Sequence, residues 1–160
     1  RSVALGAEYE YSDYSSAKLK YDDGLKMENE TSQIKTGLKG VHTLRVGAEI
    51  KFAPEFSFRL GYNYMTAAMY DDTFKRIALN SISTSTEFSN LKATNNYTVG
   101  LGYKGAVFYA DLAYQFHTYK EDFYPFYNET GENFETIIVP NATKVTNKRS
   151  QVLLTVGMRF

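Results

Sequence analysis

Apolar and polar side chains alternate with period two in six stretches of the chain. In Ser2–Ser12 the odd positions read Val3, Leu5, Ala7, Tyr9 and Tyr11, while the even ones hold Glu8 and Glu10 among small residues. Thr43–Phe52 sets Leu44, Val46, Ala48, Ile50 and Phe52 against Arg45, Gly47, Glu49 and Lys51. Phe56–Tyr64 sets Phe56, Phe58, Leu60, Tyr62 and Tyr64 against Ser57, Arg59, Gly61 and Asn63. Asn95–Lys104 gives Tyr97, Val99, Leu101 and Tyr103. Val107–Thr118 gives Phe108, Ala110, Leu112, Tyr114 and Phe116 opposite Asp111, Gln115 and His117. Ser150–Phe160 gives Val152, Leu154, Val156, Met158 and Phe160. Successive side chains on a strand point to opposite faces, so each stretch predicts a strand with one apolar and one polar face.

The connections alternate in length. Ala53-Pro54-Glu55 and Lys104-Gly105-Ala106 predict tight hairpins, whereas 13–42, 65–94 and 119–149 are long and polar. This order predicts an antiparallel up-and-down sheet with its short turns at one end and its long loops at the other. Ile77–Phe88 and Phe134–Val139 are candidates for strands beyond the main sheet, and Ile34 with Leu38 for a helical turn.

Strand length and ring placement point to a bilayer. About ten residues at ~3.3 Å each, tilted by ~40°, span about 25 Å, the height of an outer-membrane apolar band. At the long-loop end the apolar faces carry Tyr9, Tyr11, Tyr62, Tyr64, Tyr97, Tyr114 and Phe116. At the short-turn end they carry Phe52, Phe56, Tyr103, Phe108 and Phe160, with an aliphatic waist between. Two aromatic belts of this kind mark the interfaces of a membrane barrel. The expected fold is therefore all-β: an antiparallel up-and-down transmembrane β-barrel, with about six strands here. Six strands are too few to close a barrel and would leave two edges unpaired in lipid. Residues 1–160 then form a single barrel segment, expected to be the C-terminal portion of a longer chain, with one part of a multi-chain barrel or extra strands within the long loops as the alternatives. A soluble β-sandwich, with the apolar faces turned to a core, remains the competing architecture.

Composition is consistent with this picture. The 160 residues suit one domain, and 18 Lys+Arg against 18 Asp+Glu give no net charge. Nucleic-acid binding is thus disfavoured. Cysteine is absent, which removes disulfide frameworks, thiolate metal sites and cysteine nucleophiles. Aromatic residues reach 16% while mean hydropathy is only −0.40. No apolar run exceeds five residues, too short for a transmembrane helix. The sequence begins at Arg1 rather than Met, as expected of a mature form or fragment.

Motifs for chemistry are weak. Gly100-Leu101-Gly102-Tyr103-Lys104-Gly105 fits a dinucleotide fingerprint, but Val107–Thr118, where the helix of that motif would lie, alternates as a strand. His42 and His117 lack a second ligand at metal spacing, and no nucleophile elbow or metalloprotease helix motif occurs. Asp22-Asp23, Asp71-Asp72 and Glu121-Asp122 lack a calcium-loop pattern. No catalytic residue, metal or cofactor is expected. Glu8 and Glu10 are expected to face Arg45 or Arg59 as ion pairs.

The run Val152-x-Leu154-x-Val156-x-Met158-x-Phe160 resembles the C-terminal signal read by the outer-membrane barrel assembly machinery. Glu8-Tyr9-Glu10-Tyr11-Ser12-Asp13-Tyr14-Ser15-Ser16-Ala17-Lys18-Leu19, His42–Glu49 and Phe58–Tyr64 resemble the FadL/TodX family. These are outer-membrane transporters of long-chain fatty acids and other hydrophobic compounds. The resemblance implies a fourteen-stranded barrel plugged by an N-terminal hatch, of which six strands would be the last portion. The hatch and the early strand whose kink opens a lateral exit have no counterpart here, so no gating residue is carried over.

The expected function is passive uptake of a hydrophobic small molecule across a bacterial outer membrane. Expected partners are membrane lipid, the assembly machinery, the hydrophobic ligand and the remaining strands of the barrel. Arg45, Glu49, Arg59, Asn63, Asp111 and Gln115 are the candidate lumen residues. Phe74, Ile77, Phe88, Phe123, Tyr124 and Phe126 are candidates for a capture patch in the loops, unless they pack on one another. The alternatives are a structural or surface-binding barrel whose long loops engage partners, and a soluble β ligand-binding protein.

Overall fold

The structure, a computed structural model, describes residues 2–76, 87–126, 129–130, 136–138 and 140–159. Six antiparallel strands form one up-and-down sheet: β1 (Ser2–Asp13), β2 (Gly40–Lys51), β3 (Phe56–Met65), β4 (Phe88–Lys104), β5 (Phe108–Tyr124) and β8 (Thr143–Met158). Each pairs with its neighbour in that order, and the sheet is open, with β1 and β8 at its edges. A two-stranded ribbon, β6 (Glu129–Thr130) with β7 (Thr136–Ile138), lies in the last long connection. Among the described residues two α-helices, α1 (Glu28–Gly37) and α2 (Thr73–Arg76), lie in the first and second long connections, the first of which opens with a 3-10 turn at Tyr14–Ser16. No described helix is long and apolar enough to cross a membrane.

Register keeps the faces pure. Leu5 opposes Ala48, Ala48 opposes Leu60, Leu60 opposes Val99, Val99 opposes Tyr114 and Tyr114 opposes Val152. The row behind it reads Gly6, Gly47, Gly61, Thr98, Gln115 and Gln151. A slip of one residue in any pair would mix the two faces. The six alternating stretches thus belong to one surface with a single apolar side.

The turns fasten the short end. Phe56 donates its amide to Ala53 (3.2 Å), Gly105 to Phe108 (2.8 Å), Lys104 to Glu55 (2.8 Å) and Arg159 to Val107 (2.7 Å). Gly24 takes φ +86° in a small turn of the first loop, a conformation that suits glycine.

Three strands run past the stretches that alternation marks. β4 begins at Phe88 rather than Asn95, β5 reaches Tyr124 rather than Thr118, and β8 begins at Thr143 rather than Ser150. A register shift between Leu91 and Thr94 changes the phase of β4, and charged residues occupy both faces of the β5 and β8 extensions. The helical turn expected near Ile34 is α1, which Leu38 caps at its C-terminal end. Phe88 opens β4 and Thr136–Ile138 forms β7, while residues 77–86, Phe134, Glu135 and Val139 lie outside the described set. No helix follows Gly100–Gly105; Gly100–Lys104 lies in β4, and β5 begins at Phe108.

Candidate functional site

The six main strands hold almost no core. Among the described residues only Val41, Phe74 and Tyr124 are buried large hydrophobics. On the apolar face Val3, Leu5, Leu44, Val46, Ile50, Leu60, Leu101, Leu112, Val152, Leu154 and Val156 are all exposed, Leu5 to 81% and Leu154 to 69%. Full burial of one such side chain is worth about 1.5–3 kcal/mol, so leaving this face in water forgoes on the order of 10 kcal/mol. That rivals the whole net stability of an ordinary domain, about 5–15 kcal/mol. An exposed patch of this extent marks a surface for contact with protein, membrane or ligand.

Rings bound this face above and below. Near the long-loop end Tyr62 lies 5.1 Å from Tyr97, and Tyr97 lies 6.4 Å from Phe116. Tyr114 and Tyr64 lie on the same face, and Tyr114 shares a 3.0 Å hydrogen bond with Ser150. On β1, Tyr9 and Tyr11 flank His42, with ring centroids 6.0 and 4.9 Å away. The Tyr9 hydroxyl lies 2.6 Å from His42 Nδ1. Near the short turns Phe52, Phe56, Tyr103 and Phe108 follow one another at 5.8, 5.1 and 6.4 Å. Val152, Leu154, Val156 and Met158 continue the apolar face along edge strand β8. Phe160 lies outside the described residues.

The opposite face carries two clusters of ion pairs. Arg45, on β2, meets both Glu8 and Glu10 of β1, the second at 2.9 Å. Arg59, on β3, bridges three strands, with Nε 2.7 Å from Glu49 on β2 and a terminal nitrogen 2.6 Å from Asp111 on β5. Reaching Asp111 means passing over β4, which presents Gly100 and Gly102 there. A Cβ on Gly102 would meet Asp111 Oδ1 and Ser57 Oγ, each at 2.7 Å, so any larger residue there would push these side chains aside. Asn63 sits beside Arg45 with Oδ1 buried and unpartnered among the described residues. Gln115 stands apart from these ion pairs. It shares a groove of about 170 Å³ with His117, Arg149 and Gln151. His117 also hydrogen-bonds Asn96 across β4 and β5.

Of the six candidates for the polar wall, the structure joins Glu49, Arg59 and Asp111 in one network and Arg45 in a second. Asn63 and Gln115 belong to neither network. Sequence reasoning missed Arg149 because the alternation of β8 is legible only from Ser150. It also missed the groove at the short-turn end, about 240 Å³, lined by residues including Lys51, Arg59, Tyr109, Asp111 and Arg159. Identical alternation phase on β2, β3 and β5 was the signal that could have found it.

The long-loop end carries a small knot of its own. Phe74 of α2 stacks on Tyr124 at 3.8 Å and approaches Phe88 at 5.5 Å. Three of the proposed capture-patch rings therefore pack on one another, while Phe126 is exposed and Ile77 lies outside the described residues. Thr73 donates to the Gly37 carbonyl (2.7 Å) and Asn90 to that of Tyr70 (2.8 Å). Lys92 contacts Asp71 (2.7 Å) and Asp122 (3.0 Å). The hydrogen bond from Lys92 holds the Asp71 carboxyl below its usual range. Burial works against the Lys92 charge, but its hydrogen bonds to Asp71 and Asp122 hold its pKa above the usual value. Burial pushes the Tyr124 phenol up.

No protein-family model, curated protein or solved structure matches the chain.

Proposed function

We propose that this sheet is part of a transmembrane β-barrel of a bacterial outer membrane, and that the barrel passes hydrophobic small molecules such as long-chain fatty acids down a gradient. The observation that carries the reading is the pairing of faces. One side is an exposed aliphatic band bounded by two series of rings. The other holds Arg45 and Arg59 each between two carboxylates. Lipid is the phase that relieves the first, and a watered lumen accommodates the second. Tyr and Phe at the two boundaries suit the headgroup regions. In this reading the edges β1 and β8 pair with further strands, and Val152–Phe160 serves as the assembly signal.

Transport rests on the resemblance to the FadL/TodX family together with the polar wall, and it needs no catalytic group. Proteoliposomes bearing the intact protein should take up labelled fatty acid faster than empty ones. Correct insertion without uptake would sink the transport reading and leave the barrel. A surface-binding barrel is the second reading, favoured by the packed knot of Phe74, Phe88 and Tyr124, which builds a defined surface beyond the apolar band.

A further inference from the structure

We propose that the outer face of β5 and β8, just beyond the rings of the long-loop end, binds the phosphate headgroup of an anionic membrane lipid through Lys120 and Lys148. The inference rests on the barrel reading, because that reading turns this face to the bilayer. Register orders the chemistry by height. Tyr114 opposes Val152, Phe116 opposes Ser150, Thr118 opposes Lys148, Lys120 opposes Thr146 and Asp122 opposes Lys144. All ten share the face of Leu112 and Leu154, because successive side chains alternate between faces. Along these two strands, aliphatic residues therefore give way to rings, and rings to hydroxyl and ammonium groups. The Thr118–Lys148 row stands two residues beyond Phe116, about 7 Å along the strand. Rings of a membrane barrel sit at headgroup level, so these lysines stand where lipid phosphates lie.

Lys120 and Lys148 sit on one diagonal of a square whose other corners are Thr118 and Thr146. Diagonal neighbours across an antiparallel pair lie about 7–8 Å apart, within reach of long side chains. Both ammonium groups can therefore approach one phosphate, and the threonine hydroxyls can donate to it. Both lysines are exposed, and neither forms an ion pair among the described residues. The next row holds a carboxylate, Asp122, but Lys92 contacts it at 3.0 Å and Lys144 stands 4.0 Å away. Glu121 faces the other side of the sheet and accepts a hydrogen bond from Asn147. Lys120 and Lys148 thus keep their charge, and an anion between them relieves their mutual repulsion. The occupant is a lipid because the patch continues the aliphatic band upward without a break. A phosphate tethered to tails on that band is delivered to the lysines, and positive residues near a membrane surface attract anionic headgroups.

The test inserts the intact protein into phosphatidylcholine vesicles doped with chain-spin-labelled phosphatidate or phosphatidylcholine. The motionally restricted fraction of each label measures its association with the protein. Phosphatidate should be preferred by about threefold or more at neutral pH. Combined Lys120→Gln and Lys148→Gln should remove the preference, and combined Lys120→Arg and Lys148→Arg should keep it. Combined Lys51→Gln and Lys104→Gln, on the polar face at the other end, should leave it unchanged. Equal association of both labels with the native protein, or a preference that survives the Lys120→Gln and Lys148→Gln pair, would overturn the site and leave the barrel standing. Absence of any restricted fraction would overturn the barrel reading itself, and the site with it. Loss of the preference in millimolar inorganic phosphate, but not in sodium chloride of equal ionic strength, would assign the lysines to a free anion and overturn the lipid. A preference seen only at high protein-to-lipid ratio would place a second copy of the chain on this face and overturn it equally.

Discussion

Arg59 shows how much one side chain organises on the polar wall. It reaches Glu49 on one side and Asp111 two strands away on the other, over Gly102. Because the Arg59 side chain is about half exposed (49%), water screens both pairs. A double-mutant cycle of Arg59→Gln with Asp111→Asn, read by urea-dependent refolding into lipid, should give a coupling of about 1 kcal/mol or less. Coupling above about 3 kcal/mol would mean a dry, tightly packed wall. Gly102→Val should disturb the same network more than Gly6→Val, because a Cβ at Gly6 meets nothing within 4 Å. Refolding midpoints of the two variants check this. The sequence suggested ion pairs between Glu8 or Glu10 and an arginine, because alternation puts all of them on polar faces. It could not choose Arg45 over Arg59, since that choice depends on the register of β1 against β2.

At the scale of elements, the long-loop ends behave as a separate unit. Alternation disappears there because the extension of β5 runs Tyr119-Lys120-Glu121-Asp122, with charge on both faces, while the backbone goes on pairing with β8. The knot of Phe74, Phe88 and Tyr124 joins residues far apart in sequence, so no local pattern announces it. Phe74 is 1% exposed, and Phe74→Ala should cost the knot about 3–5 kcal/mol. Hydrogen exchange should speed up in 66–74 and 88–92 and stay unchanged in β1 and β2. The ion pairs set a pH window for the same unit. Asp71 titrates below its usual value, so its contribution is present above the ordinary aspartate range and lost as pH falls through the lowered value. Lys92 titrates above its usual value, so its contribution is full below the ordinary lysine range and lost as pH rises through the raised one. Protection of the knot should therefore be greatest between about pH 4 and pH 10, and Lys92→Met should flatten the dependence.

For the whole molecule, the six alternating stretches carried the sheet order, the face composition and the positions of both ring series. Their number also implied an open sheet, and β1 and β8 do end it as unpaired edges; it does not tell what pairs with those edges. The central claim is that the two faces meet different phases. Leu60→Arg, at the aliphatic waist, should destabilise the inserted protein by about 2–4 kcal/mol, whereas Thr98→Arg on the other face should change stability by no more than about 0.5 kcal/mol. The absence of cysteine makes the most direct measurement simple, because single cysteines can be placed and spin-labelled without background. Labels at residues 60, 99, 112 and 154 and at their neighbours 61, 98, 113 and 153 would be probed in vesicles with a lipid-soluble and a water-soluble relaxation agent. The account predicts strict period-two alternation, the first set relaxed by the lipid-soluble agent and the second by the aqueous one. Labels of the first set shielded from both agents, as inside a protein core, or relaxed mainly by the aqueous one, would contradict it.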